Sequence, residues 1–139
     1  MESFNFFIGI DISKARLDWA VIVSNKLLFH HQSTNDKVGI ESFIKQLKVY
    51  CPNANFENSL YCMEHTGIYN NHLLNFLHSK QANIWLEHPI HIKDSLGMIR
   101  GKNDKVDAQR IATYARAASA IKTVMKYVFG FLNAMSFKN

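Results

Sequence analysis

The chain opens with apolar runs separated by short polar links. Residues Phe4 to Ile12 are almost continuously apolar, aromatic or β-branched, and Arg16 to Ser24 repeats that character from Trp19 to Val23. Runs of this kind, bounded by polar residues, predict buried strands. The link Ser13-Lys14-Ala15 suits a hairpin, Asn25 supplies a further turn, and Lys26 to Gln32 predicts a third strand. Consecutive strands joined by short turns make an antiparallel meander. The period then changes. Val38, Ile40, Phe43, Ile44 and Leu47 fall near helical spacing, behind a cap at Asn35 or Asp36. A polar loop, Pro52 to Asn58, leads to a fourth strand at Ser59 to Glu64. Thr66-Gly67 opens a second helix with the stripe Ile68, Leu73, Leu74 and Leu77, and Asn83 to Glu87 predicts a fifth strand. Beyond Pro89 a short helix is expected near His91 to Met98, then a basic loop from Ile99 to Asn103. Asp104 to Ser119 reads as a helix with Val106, Ile111, Tyr114 and Ala115 available for one face.

A meander followed by right-handed strand–helix–strand crossovers gives an α/β domain with a mixed five-stranded sheet and flanking helices. That is the arrangement of the ribonuclease-H-like (RuvC-like) fold. The same order suits the first half of an actin-like nucleotide-binding domain. That fold wants a second Gly-rich phosphate loop, and the 6 glycines of this chain are not clustered. A length of 139 residues supports one core. A hydrophobic share of 47% excludes a disordered chain. The expected division is a nuclease-like domain over residues 1–119 and a helical tail over 120–139, where Ile121, Val124, Met125, Val128, Leu132 and Met135 recur at steps of three and four. Such a stripe either packs back on its own domain or forms a self-association seam.

Charge and chemistry narrow the class. The net charge of +5 is compatible with a polyanionic partner without establishing one. The most apolar late stretch, Ile121 to Phe137, is interrupted by Lys122 and Lys126, so no membrane span is expected, and the first residues lack a secretory pattern. Cys51 and Cys62 have no metal or redox spacing and read as free thiols of a reducing compartment.

Four carboxylates stand out by position. Asp11 ends the first strand on the face opposite Ile8 and Ile10, beside Gly9. Glu64 ends the fourth strand, and if the two strands are parallel neighbours the acids meet at the carboxyl edge, where open α/β sheets bind ligands. Asp104 and Asp107 are three apart on one helix and share a face. Converging carboxylates repel, and hard divalent cations relieve that repulsion. Two such ions about 3.5–4 Å apart can activate a water and stabilise the leaving oxygen of a phosphodiester. Lys93, Arg100, Lys102, Lys105 and Arg110 are placed to offset backbone phosphates. Plainer readings stand beside this one. Asp11 and Glu64 also suit ordinary strand ends, Asp104 and Asp107 a helix-capping pair, and the basic run a solvated face. His65, His88 and His91 lack a ligand spacing and read as ordinary surface or core histidines.

The motifs together resemble those of the DEDD transposases, insertion-sequence recombinases with a RuvC-like N-terminal domain. Ile8-Gly9-Ile10-Asp11-Ile12-Ser13-Lys14 with Leu17-Asp18 resembles the opening motif. Glu64-His65-Thr66-Gly67-Ile68-Tyr69 resembles the second, and Lys102-Asn103-Asp104-Lys105-Val106-Asp107-Ala108 with Ile111-Ala112 the third. His88-Pro89 fits the position of an Asn-Pro or His-Pro pair. The likeness spans about Phe6 to Arg116. It implies that Asp11, Glu64, Asp104 and Asp107 are catalytic and hold Mg²⁺ (or Mn²⁺), as two ions, for DNA strand cleavage and exchange during DNA transposition and recombination. Ser13, Lys14, Arg100, Lys102, Lys105 and Arg110 are the expected nucleic-acid contacts. It further implies a structured guide RNA as partner, a homo-dimer or higher oligomer, and the bacterial cytoplasm. Members of the family carry a C-terminal domain with a nucleophilic serine, and no pattern of that domain is expected within these 139 residues. A non-catalytic nucleic-acid-binding or dimerising fragment of a truncated transposase is therefore the alternative expectation.

Overall fold

The structure, a computed structural model, describes residues 4–89, 91–92 and 104–119; the side chains of residues 104 and 105 are outside that set. Strands β1 (Phe6–Ile12), β2 (Arg16–Val23) and β3 (Lys26–Thr34) form the meander. Helix α1 (Lys37–Tyr50) leads to β4 (Ser59–Glu64), and a 3-10 turn at Gly67–Asn70 runs into α2 (Asn71–Ser79). β5 (Asn83–Glu87) and helix α3 (Asp104–Ser119) follow. The sheet order is β3-β2-β1-β4-β5. β1 is antiparallel to β2 and parallel to β4, and β4 is parallel to β5. This is the mixed five-stranded sheet with flanking helices that the order of elements predicts.

The two-residue period of the strands sorts side chains between two helical layers. Ile8, Ile10, Leu17, Trp19, Val21, Tyr61 and Met63 are buried with Phe43 and Leu47 of α1 and Leu73 and Leu77 of α2. Trp19 stacks on Phe43 with ring centroids 4.0 Å apart, and its indole nitrogen donates to Ser33 Oγ at 2.9 Å. The opposite face carries small residues at its centre. Ala20 and Ile22 of β2 pack on Ala108 and Ala112 of α3, while Leu60, Cys62 and Trp85 meet Ile111, Tyr114 and Ala115. Gly9 sits between these groups. A Cβ there would overlap the backbone carbonyl of Ala108 and the backbone amide of Ala112. Helix α3 thus rests directly on the β1 backbone, which glycine alone permits.

Several boundaries differ from the pattern-based expectation. β1 starts at Phe6 rather than Phe4, and β2 stops at Val23 because Ser24 and Asn25 both adopt positive φ, at 51° and 67°. That is the backbone of a tight two-residue hairpin turn. β3 continues to Thr34, paired with Arg16. The cap of α1 is Asp36, which accepts from the Gly39 amide at 2.8 Å; Asn35 has another task, described below. Val38 and Ile68 belong to neither apolar stripe: they are 77% and 73% exposed. Val38 lies in the first turn of α1, and Ile68 lies in the 3-10 turn before α2. In α3 the closest contacts come from Ala108 and Ala112, with Val106 only half-buried. Of the helix expected over 91–98 only His91 and Ile92 are described, as helical. The loop 99–103 and the tail beyond Ser119 lie outside the described residues. Among the described residues no helix is long and apolar enough to cross a membrane.

Candidate active site at the carboxyl edge of the sheet

The register places four carboxylates in one row across the sheet. Asp11 is opposite Asp18 on β2. β1 and β4 run in register from Phe6 with Ser59 to Ile10 with Met63, so the next step sets Asp11 beside Glu64. Glu64 is in turn paired with Glu87 on β5. Adjacent strands lie about 4.8 Å apart. The row Asp18, Asp11, Glu64, Glu87 therefore closes the α3 side of the sheet at the carboxyl edge of β1, β4 and β5.

Helix α3 adds a further acid above this row. Going from Gly9 to Asp11 advances about 6.6 Å along β1. Going back from Ala108 to Asp104 retreats about 6 Å along α3. The helix packs on Gly9 through Ala108 and Ala112, so its first turn lies toward Asp11 and Glu64. Electrostatics agree. The half-buried Glu64 carboxyl is pushed above its usual value, first by burial and then by the charge of Asp107, with Arg110 opposing. Arg110 Nη1 stands 3.6 Å from Asp107 Oδ1. Asp107 and Glu64 thus feel each other across the helix–sheet seam. Asp104 lies one turn before Ala108 on the same helix.

The inner and outer members of the row differ in their partners. Glu87 is buried, and each of its oxygens takes two contacts. Oε1 accepts from the His88 amide at 2.9 Å and sits 2.8 Å from His91 Nδ1. Oε2 accepts from Tyr114 Oη at 2.7 Å and Trp85 Nε1 at 3.2 Å. Burial pushes the Glu87 carboxyl up, but the Tyr114, His91, His88 and Trp85 hydrogen bonds together hold it below its usual range. Glu87 is an anchor for α3. Asp18, also buried, has Gln32 Nε2 at 3.3 Å and His30 Nε2 at 3.2 Å. Asp11 and Glu64, half-buried between them, face α3 and its acids.

The Glu87 anchor yields a stability expectation. Tyr114→Phe removes a buried hydrogen bond to a charged acceptor and is expected to lower stability by about 1.5–3 kcal/mol. A carboxyl held low in the fold contributes stability above its unfolded value, lost as pH falls through its folded value. The difference between Tyr114→Phe and wild type is thus largest near neutral pH and narrows in acid, as urea melts at several pH values would record.

The loops around the edge are held by two asparagines, Asn35, which the sequence offers as a cap of α1, and Asn70, which it does not single out. Asn35 is buried and its Nδ2 donates to the Ser13 carbonyl at 2.8 Å and the Tyr69 carbonyl at 2.9 Å. It ties the turn after Asp11 to the turn after Glu64. Asn70 Oδ1 accepts from the Thr66 amide at 2.7 Å and its hydroxyl at 2.8 Å, while Nδ2 donates to the Glu64 carbonyl at 3.0 Å. This fixes the backbone that carries Glu64. The signal available was an Asn in each connection, a residue that commonly hydrogen-bonds neighbouring backbone.

Among the expected nucleic-acid contacts, Ser13 and Lys14 are exposed in the turn after Asp11. Ser13 Oγ closes that turn by donating to the Arg16 carbonyl at 3.1 Å. Arg110 lies beside Asp107, as above. Lys93, Arg100, Lys102 and the side chain of Lys105 are outside the described residues. The histidines follow the plainer reading: His91 serves Glu87, and His65 and His88 are exposed. Both cysteines are free and buried. Burial, then Glu87 and Glu64, raise the Cys62 thiol well above its usual value, which makes it inert.

Asp11, Glu64 and Asp107 offer hard oxygen donors, the chemistry that Mg²⁺ and Mn²⁺ prefer. The upward push on Glu64 from Asp107 is the repulsion that a cation would relieve. The residues therefore fit a divalent ion. Among the described residues no three such side chains already converge as a formed metal cage, and the Asp104 side chain is outside that set.

Comparison with known proteins places this arrangement. The transposase family model for DEDD transposases of the IS110 type matches residues 8–127. The chain belongs to that DEDD transposase family, and the match continues past Arg116, where the motif resemblance ends. Among solved structures, Thermus thermophilus RuvC superposes with a TM-score of 0.52 at 14% identity, covering 81% of this chain and 96% of that one. The fold is thus RuvC-like. A second structure, T. thermophilus RuvC in complex with a Holliday junction substrate, gives a TM-score of 0.48 at 14% identity over 81% of this chain and 95% of the other. No curated protein matches.

Proposed function

We propose that the carboxyl edge of the sheet is a metal-dependent phosphodiester-cleaving centre that acts on DNA during transposition. The observation that carries this is the placing of acids from separate elements at one edge: Asp11 and Glu64 adjacent on parallel strands, with Asp107 of α3 near enough for its charge to raise the Glu64 carboxyl. Membership of a DEDD transposase family supports it. Asp11, Glu64, Asp104 and Asp107 would hold Mg²⁺ or Mn²⁺, as two ions. Such ions, when bound, supply an activated water and neutralise charge on the phosphodiester. The chain's own contribution is positional. Gly9 sets the height of α3, Glu87 and Tyr114 fasten it, and Asn35 and Asn70 hold the loops that follow Asp11 and Glu64. Arg110 counters part of the acidic field beside Asp107. Lys14 and Ser13, together with Arg100, Lys102, Lys105 and Arg110, would meet the phosphates of the bound strand. A structured guide RNA, a homo-dimer or higher assembly and the bacterial cytoplasm complete the proposal, on the strength of the family.

The test is cleavage of branched and linear DNA in Mg²⁺ by the full chain and by Glu64→Gln. Cutting by wild type that is lost in the variant supports the reading. Binding without cutting under every condition favours a non-catalytic nucleic-acid-binding role instead. A second readout needs no substrate. A carboxyl whose folded value is raised costs stability as pH climbs through its unfolded value toward its folded one. Metal-free Glu64→Gln is therefore expected to be at least as stable as wild type at neutral pH, with that advantage vanishing in acid. Thermal melts in EDTA across pH would record it.

A further inference from the structure

On the face of the sheet away from α3 lies a cleft with no part in the chemistry above. Lys37 at the start of α1 and His72, Asn75, Phe76 and Ser79 on α2 line an open space of about 300 Å³. Lys80 Nζ stands 5.7 Å from the Phe76 ring centroid, a cation–π distance. Phe76 is half-buried and forms an aromatic floor, while Lys37, His72 and Lys80 are exposed around it. The neighbouring carboxylate, Asp36, accepts from the Gly39 amide and the Thr34 hydroxyl, and its charge also reaches His72 in the lining. An aromatic side chain in the lining, with the Lys37 ammonium in the same lining and Lys80 poised over the ring, matches single-stranded nucleic acid, in which a base stacks and the flanking phosphates meet cations. A free anion would leave the ring unused, and an apolar ligand would leave the lysines unused.

The place of the cleft says which strand it would take. Lys37 follows the end of β3, and His72 is in the first turn of α2, just after Glu64 and the 3-10 turn. The cleft therefore opens at the same edge of the sheet as Asp11 and Glu64, on the other face. Lys14 and Tyr69, both exposed, occupy the turns between. We infer that single-stranded DNA leaving the carboxylate row crosses this rim and lies along α2 in the cleft. This rests on the DNA-cleaving reading for its direction, but the binding it asserts can be measured separately.

The experiment is fluorescence anisotropy of a labelled oligo-dT with the full chain, in EDTA, over a range of salt. The double variant K37E/K80E is expected to weaken binding about tenfold and to flatten the salt dependence by about 1.4, at about 0.7 per lost phosphate contact on a single strand. Lys48→Glu, in the last turn of α1, is the control and should bind as wild type. If K37E/K80E fails to fold by circular dichroism, K37Q/K80Q is read in its place with a smaller loss of the same sign. The inference is overturned if the double variant binds oligo-dT as wild type does, or if Lys48→Glu weakens binding as much. It is also overturned, in favour of RNA, if oligo-U binding falls while oligo-dT binding does not. Because the assay excludes metal, its failure leaves the carboxylate site standing. A failed metal site, in turn, leaves this binding result intact.

Discussion

Asp11→Asn is expected to reduce DNA cleavage by more than about a hundredfold, beyond the 10–100-fold range typical of residues that merely support a metal's ligands. Asp11 is the acid at the middle of the row, beside Glu64 on one strand and opposite Asp18 on the other. The substitution keeps shape and removes charge, so packing under α3 is preserved. The loss should appear in single-turnover cleavage at saturating DNA, with affinity for DNA in EDTA unchanged or slightly raised. Asp18→Asn is the informative companion. Its carboxylate sits with His30 and Gln32, so its loss should lower stability more than it lowers cleavage. A reversed order, with Asp18→Asn the more damaging to cleavage in folded protein, would move the centre of the site one strand over.

The second large effect is expected at a residue with no side chain. Gly9→Ala sets a methyl group against backbone atoms of Ala108 and Ala112, which cannot swing aside as a flexible side chain would. Overpacking of this kind costs about 1–3 kcal/mol, and the backbone contact argues for the upper end. The consequence for chemistry is larger. Any outward shift of α3 carries Asp107 away from Glu64, and a displacement of about 1 Å can cost on the order of a hundredfold in rate. Gly9→Ala should therefore lose cleavage at temperatures where circular dichroism still reports a folded chain. Gly39 gives the contrast. A Cβ there would crowd the Thr34 carbonyl, at the start of α1 and away from α3. Gly39→Ala should destabilise the fold without a loss of cleavage beyond what the melt explains.

These two positions also show what the sequence makes legible. The period of two along Ile8-Gly9-Ile10-Asp11 is enough to put Asp11 and Gly9 on one face, because alternation along a strand is a property of the backbone. The order of elements allows β1 to pair with β4, and the sheet order supplies that pairing and so brings Asp11 and Glu64 together. Asp18 and Glu87 escaped because a carboxylate inside an apolar strand gives no local sign of its partners. His30 and Gln32 meet Asp18 only through the strand register, and Tyr114 meets Glu87 only through the seat of α3; His91, four residues after Glu87, reaches it locally. Val38 and Ile68 misled for the opposite reason. Both fit a helical apolar period, yet one lies in the first turn of α1 and the other in the 3-10 turn before α2, and both are left exposed. Asn35 shared the credentials of a helix cap with Asp36, and only the three-dimensional meeting of two loops shows that it clamps instead.

The most direct measurement is calorimetric titration of Mn²⁺ into the full chain, wild type against Asp11→Asn, with no nucleic acid present. The expected result is saturable binding by wild type that is lost or weakened at least about tenfold in Asp11→Asn, whose fold is unchanged by circular dichroism. Equal binding by both proteins, or none by wild type at millimolar Mn²⁺, would contradict a metal centre at the carboxyl edge of this sheet.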